Sequence, residues 1–118
     1  PIYKTFSYLY TPYEPDFSKF YAACTADMAA CMPLRGFEVR QTPPDSFSIS
    51  ALPWEHYSAF SLGLSGSDRY LAPILTWGKC GDTMPLTLQI NHAAADGWHT
   101  AQFMENFRCL AGAPENWL

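Results

Sequence analysis

Apolar and polar residues alternate along this chain in two rhythms, and each rhythm predicts an element. Over 86–91, Leu86, Leu88 and Ile90 alternate with Thr87, Gln89 and Asn91, the pattern of a strand with one buried face. The same alternation predicts a strand at 47–51, with Phe47, Ile49 and Ala51 on one face and Ser48 and Ser50 on the other; Pro53-Trp54 ends it. Ile2–Tyr8 is rich in β-branched and aromatic residues and predicts another strand. His56–Gly63 and Tyr70–Gly78 predict two more, separated by Ser65-Gly66-Ser67-Asp68.

The slower rhythm predicts two helices. Asp16 is placed as an N-cap, and Phe17, Phe20, Tyr21, Cys24, Met28 and Cys31 form an apolar stripe expected to face the core. That helix should end near Pro33, with Gly36 just beyond. The second should follow Asp96-Gly97, with Trp98, Ala101, Met104, Phe107 and Leu110 on one stripe. Strands with a helix toward each end predict an α/β fold, a two-layer sandwich of a sheet with helices on one face.

Between the last strand and the last helix lies the stretch that carries chemistry. His92 falls at the strand end, Ala93–Ala95 allow close approach, and Asp96-Gly97 is expected to supply a turn through a positive-φ glycine. A strand-end histidine beside a tight turn has the chemistry of a general base, because imidazole changes charge near neutral pH. Two other readings stay open at this point. His92 is equally a half-buried histidine bonded to a backbone carbonyl, and His92, Asp96 and His99 are spaced like metal ligands, although Gly97 interrupts any single helix that would align them.

At 118 residues the chain fits one domain, and 48% apolar against 15% charged residues is a globular composition. An aromatic share of 16% implies an aromatic core or aromatic surface awaiting a ligand or partner chain. A net charge of −4 without a basic run argues against nucleic acid, and no apolar stretch is long enough to span a bilayer. The start at Pro1-Ile2-Tyr3-Lys4 has no signal-peptide layout and reads as a cut or processed chain. Cys24, Cys31, Cys80 and Cys109 match no zinc spacing and are expected to be reduced and mostly buried, as in a cytoplasmic protein.

The stretch NHAAADGWH at 91–99 resembles the HHxxxDGxH signature of the type A chloramphenicol acetyltransferases, and more distantly the DHxxxDG signature of 2-oxo-acid dehydrogenase acyltransferase cores. PIYKTF at 1–6, FSISALPW at 47–54 and LAPILTWGK at 71–79 resemble further blocks of the same acetyltransferases, in the same order. FSISALPW and the DGWH ending are closer to the antibiotic enzymes than to the lipoyl-directed cores. The resemblance covers essentially all of residues 1–118 as the C-terminal portion of one domain, and implies about ninety preceding residues, supplied as a separate chain or segment.

What the resemblance implies is a bacterial, cytoplasmic CoA-dependent O-acetyltransferase that moves the acetyl group of acetyl-CoA to a hydroxyl of chloramphenicol or a similar small molecule, conferring antibiotic resistance. It implies a homotrimer with active sites at subunit interfaces and no metal. By position, His92 matches the general base, Ser50 the oxyanion donor and Thr76 a contact to a water near the intermediate. Asp96 and Gly97 match structural support of the histidine loop, Lys79 a lysine near the CoA entry, and Tyr13 an aromatic of the acceptor pocket. Departures from the signature are Asn91, where the family has its first histidine, and Ala95 in place of a cysteine. The family's arginine partner for Asp96 belongs to the front region, so a partly buried Asp96 would need a cation from elsewhere. The competing function is a non-catalytic subunit of the same fold that binds a small molecule or a partner.

Overall fold

Asp16 precedes the first apolar-periodic residue, and its carboxylate accepts the backbone N–H of Lys19 at 3.1 Å, satisfying one of the free donors at a helix start. Helix α1 accordingly runs Phe17–Cys31 in the computed structural model, which describes residues 6–34, 36, 40–63 and 70–118. Met32 closes it through Met28 O at 2.9 Å, and Gly36 beyond takes φ 132, a conformation only glycine adopts freely. Of the strand predicted at 2–8, residues 2–5 lie outside the described residues and 6–8 hold a single bridge residue, Tyr8. The predicted turn at 65–68 also lies outside them.

The chain divides into two compact units, Pro1–Pro44 with Cys109–Leu118, and Asp45–Arg108. In the first, Asp27 on α1 accepts the Thr11 hydroxyl at 3.2 Å and also accepts from Arg40, whose guanidinium pKa is raised by its own hydrogen bond to Asp27 and by the carboxylate charge. The chain end folds back through a short 3-10 turn, Pro114–Asn116, so that Trp117 donates its indole N–H to Leu110 O at 2.7 Å and meets Phe17 edge-on. The stripe of α1 is not a core in this chain. Cys31 is buried, whereas Phe17, Tyr21 and Met28 are exposed, because periodicity reports which face of a helix is apolar and not what lies against it. The four cysteines are free, but Cys80 and Cys109 are exposed, contrary to the burial expected of them.

The second unit holds a mixed three-stranded sheet in the order β1-β2-β3, with β1 Ser48–Ala51, β2 Ile74–Trp77 and β3 Leu86–Gln89. β1 pairs parallel to β2, and β2 antiparallel to β3. Helix α2, Gly97–Gly112, starts in this unit, and its last turn belongs to the other. The architecture is therefore α/β, with one mixed sheet and two α-helices among the described residues. The register lines up Ser50, Thr76 and Thr87 across one face, and Ile49, Leu75 and Leu88 across the other.

The hydroxyl-bearing face is the better covered at β2, where Ile74 and Thr76 are buried while Ile49 on the opposite face of β1 is 53% exposed. Its cover is the segment expected to be a strand at 56–63, which pairs with no strand and is held by side chains. Tyr57 donates its hydroxyl to Thr76 O at 2.7 Å, and Gln89 bonds both the amide and the carbonyl of Leu62 at 2.9 Å. Backbone groups satisfied this way have no need of a ladder.

Gly78 lets the cover come this close. A Cβ built there would lie 2.7 Å from Glu55 O, 2.7 Å from Pro85 Cγ and 3.0 Å from Tyr57 Cε1. Gly78→Ala should destabilise the protein by about 1–3 kcal/mol through overpacking, read as a lowered denaturant midpoint at unchanged slope. An unchanged midpoint would show that the packing around Gly78 is looser than these distances.

Candidate active site

Past the end of β3, one asparagine organises the turn. Asn91 Oδ1 accepts the amide of Ala93 at 2.9 Å, and Asn91 O accepts the amides of Ala94 at 2.9 Å and Ala95 at 3.2 Å. An asparagine side chain is well suited to bond its own backbone two residues on, which gives Asn91 a local structural role. The turn leaves His92 standing out, with its side chain 88% exposed. A half-buried histidine bonded to a backbone carbonyl is therefore not what the structure contains.

His92 Nδ1 lies 3.5 Å from Asp96 Oδ1. Asp96 is itself 64% exposed, so the cost expected for a partly buried carboxylate does not arise. Its partners within ion-pair range among the described residues are His92 and His99.

Asp96 also starts α2. Its carbonyl accepts the amide of Thr100 at 3.1 Å, the first bond of the helix, and its own amide donates to His99 Nδ1 at 3.1 Å. Gly97 is the first residue of that helix and does not adopt a positive φ, which corrects the turn role expected of it. A Cβ at Gly97 would meet nothing within 4 Å. Gly97→Ala should consequently leave stability unchanged or raise it by up to about 1 kcal/mol, the helix-propensity difference. A lowered melting temperature would refute this assignment.

A groove is lined by His92, Ala95, Asp96 and Gly97 together with Thr87 and Phe60. It joins the turn, the first residue of α2, the face of β3 and the irregular cover, all within the second unit. Thr87 also reaches Tyr57 Oη at 3.4 Å. Thr87, Phe60 and Tyr57 were not legible as site residues. The alternation over 86–91 marks Thr87 only as the polar side of a strand, and its place beside His92 follows from tertiary structure.

The other expected residues fall at varying places. Thr76 is the register partner of both Ser50 and Thr87, and at 2% exposure it is closed to solvent in this chain, with Tyr57 on its carbonyl. Ser50 is exposed at the end of this row, and its hydroxyl makes no hydrogen bond among the described residues. Two strand spacings, about 9–10 Å, separate Ser50 from Thr87. A single chain thus brings together His92, Asp96 and Gly97, and places Ser50 apart from their groove. Lys79 is exposed, with its amide on Glu55 O at 2.7 Å. Tyr13 belongs to the other unit and is 85% exposed.

The metal reading finds no support in the geometry. His99 Nδ1 is engaged with the Asp96 amide, and no group of three or more histidine, cysteine, aspartate or glutamate residues is arranged to hold an ion among the described residues. No helix among them is long and apolar enough to cross a membrane.

Comparison with known proteins adds to this geometry. A family model described as chloramphenicol acetyltransferase matches residues 2–108. The chain is similar to a chloramphenicol acetyltransferase of Bacillus pumilus, at 36% identity over 121 residues covering 98% of the chain and 55% of that protein. A chloramphenicol acetyltransferase of Streptomyces acrimycini is 37% identical over 131 residues, covering 100% of the chain and 56% of the relative. A third, chloramphenicol acetyltransferase 2 of Escherichia coli, is 35% identical, covering 91% and 53%. The chain spans about half the length of the curated relatives it matches.

Proposed function

The chain belongs to the chloramphenicol acetyltransferase family, and from that premise we propose that it is the C-terminal portion of a CoA-dependent O-acetyltransferase acting on chloramphenicol or a similar hydroxyl-bearing small molecule. The observation that carries the reading is His92, an exposed imidazole on a groove with Nδ1 facing a carboxylate. In the reaction, Nε2 takes the proton of the acceptor hydroxyl as its oxygen attacks the thioester carbonyl of acetyl-CoA. The carbonyl becomes a tetrahedral oxyanion, and Ser50 donates its free hydroxyl to it. Collapse forms the ester and breaks the carbon–sulfur bond, and the imidazolium returns its proton to the departing thiolate of CoA.

The separation of Ser50 from the His92 groove supports a site assembled from more than one copy of the chain, in keeping with the homotrimer and interfacial sites that the resemblance implies. The exposed apolar stripes of α1 and α2 fit the same reading: together with the preceding half of the domain, supplied as a segment or separate chain, they would be covered and the two-layer sandwich completed. Thr76, buried in one chain, would reach the intermediate through the Ser50 end of its row. Lys79 is assigned to the phosphates of CoA, Tyr13 to the acceptor pocket, and Asp96 to support of the histidine turn, with Gly97 beginning the helix that follows. A cytoplasmic location goes with these assignments.

A non-catalytic binding subunit, suggested by Asn91 and by the incomplete length of the chain, loses its first ground, because Asn91 performs a structural task in the turn. Thiol release from acetyl-CoA in the presence of chloramphenicol, measured beside the native mass of the purified protein, tests the proposal. Thiol released by a multimer supports it. Failure to release thiol, together with no heat on titration with CoA, would overturn it in favour of the binder.

A further inference from the structure

Residues 11–16 tie Tyr13 to helix α1 at both ends. At one end Asp16 is built into the helix start: its carboxylate accepts the amide of Lys19, its carbonyl accepts the amide of Phe20 at 2.9 Å, and its own amide donates to Glu14 Oε1 at 3.1 Å. At the other end Thr11 donates its hydroxyl to Asp27 Oδ2 at 3.2 Å. The Asp27 side chain is only 17% exposed and accepts from Arg40 through Oδ1, so this carboxylate is held in direction and largely shielded from water. From Asp16 to Asp27 the helix advances about 16.5 Å. The chain from Asp16 back to Thr11 spans at most about 16.5–18 Å when fully extended. The segment is therefore a strap with little slack. Pro12 and Pro15 fix their own φ and hold Thr11 and Glu14 extended, which leaves Tyr13 as the one residue of 11–15 that no proline restricts.

We propose that Asp27 is a positioning residue for acceptor binding: through Thr11 it latches the strap, and the latched strap fixes the exposed Tyr13 as a pre-ordered aromatic contact for the acceptor. The kinetic consequence rests on the assignment of Tyr13 to the acceptor pocket; the latch itself stands on the hydrogen bonds and on the length of the strap. Arg40 serves the latch by holding the other carboxylate oxygen, so that Oδ2 stays turned toward Thr11. With the latch open, the strap slackens and Tyr13 has to be ordered afresh by each acceptor that binds, at a cost in affinity. His92 and Ser50 keep their places, so the chemical step is not touched.

The test compares the full-length wild-type protein with Thr11→Val, which keeps the shape and deletes the hydroxyl, and with Thr11→Ser, which keeps the hydroxyl. In Thr11→Val the backbone order parameter at Tyr13 should fall from about 0.85 to below about 0.6. KM for chloramphenicol should rise about fivefold, while kcat and KM for acetyl-CoA hold. Thr11→Ser should behave as wild type in every one of these. Adding Asp27→Ala to Thr11→Val should lower the order at Tyr13 no further, since either change breaks the same bond. Additive losses at Tyr13 would overturn the latch, as would an unchanged order parameter in Thr11→Val. A lowered order parameter with KM for chloramphenicol unmoved would overturn the role in acceptor binding, and so would a rise in both KM values with a fall in kcat, which marks general loosening. If even the wild-type protein transfers no acetyl group, the acetyltransferase reading falls, and the order parameter at Tyr13 still decides whether Asp27 latches the strap.

Discussion

His92→Ala is expected to lower the kcat of acetyl transfer by roughly 10²- to 10⁴-fold, the usual contribution of a positioned general base, with little change in KM. The effect should be chemical and not structural. The His92 side chain is 88% exposed, and its partner among the described residues is Asp96, so truncation opens no cavity and stability should stay within about 0.5 kcal/mol. Deleting the imidazole does free the Asp96 carboxylate, which is exposed enough to be solvated. Melting temperature and native mass measured beside turnover separate the two effects. Turnover within a few-fold of wild type would remove His92 as the base, and a large fall in stability would show that the turn depends on the histidine.

Ser50→Ala should lower kcat by about 10²- to 10³-fold, corresponding to about 2.7–4 kcal/mol for one preorganised donor to the oxyanion. The serine hydroxyl is unpartnered among the described residues and lies on an exposed strand, so the protein has no structural use for it that alanine would disturb. KM for acetyl-CoA should hold, because the hydroxyl strengthens its bond only when charge develops on the oxygen. Ser50→Thr keeps a hydroxyl and should recover part of the loss. If Ser50→Ala raises KM and leaves kcat alone, the residue binds substrate and does not stabilise the transition state. If neither parameter moves, the serine is simply a strand residue facing water.

What could be read in advance follows from the range of the interactions involved. The span of α1 and its Asp16 cap depend on neighbours three and four residues away, and they match the apolar and polar pattern. The alternation also marks the three strands, β2 within a longer predicted run, and the slower period marks the helix after Asp96. The failures have longer reach. Residues 56–62 alternate plausibly for a strand, yet their partners are the side chains of Gln89 and the backbone of Thr76, about twenty to thirty residues away, and no local pattern encodes them. The row Ser50–Thr76–Thr87 is a matter of register, which alternation within one strand cannot supply. Gly97 looks like a turn glycine in the sequence because it follows an aspartate, whereas the helix simply begins there. In the sequence His99 stands out as part of a signature and as a candidate metal ligand, and its bond to Asp96 is not legible there because it depends on where α2 starts.

The cover over Thr76 has a consequence for how this part of the molecule comes apart. Residues 56–62 have no ladder, and Tyr57, Thr87 and Gln89 fasten them through a handful of side-chain bonds, each worth about 1 kcal/mol net. Strands β1–β3 are joined along their length and separate only with the unit as a whole. The two layers of bonding therefore have different thresholds, and a fluctuation too small to melt the sheet is enough to lift the flap. Lifting the flap would bare Thr76 and widen the groove beside Phe60 with the sheet beneath it left whole.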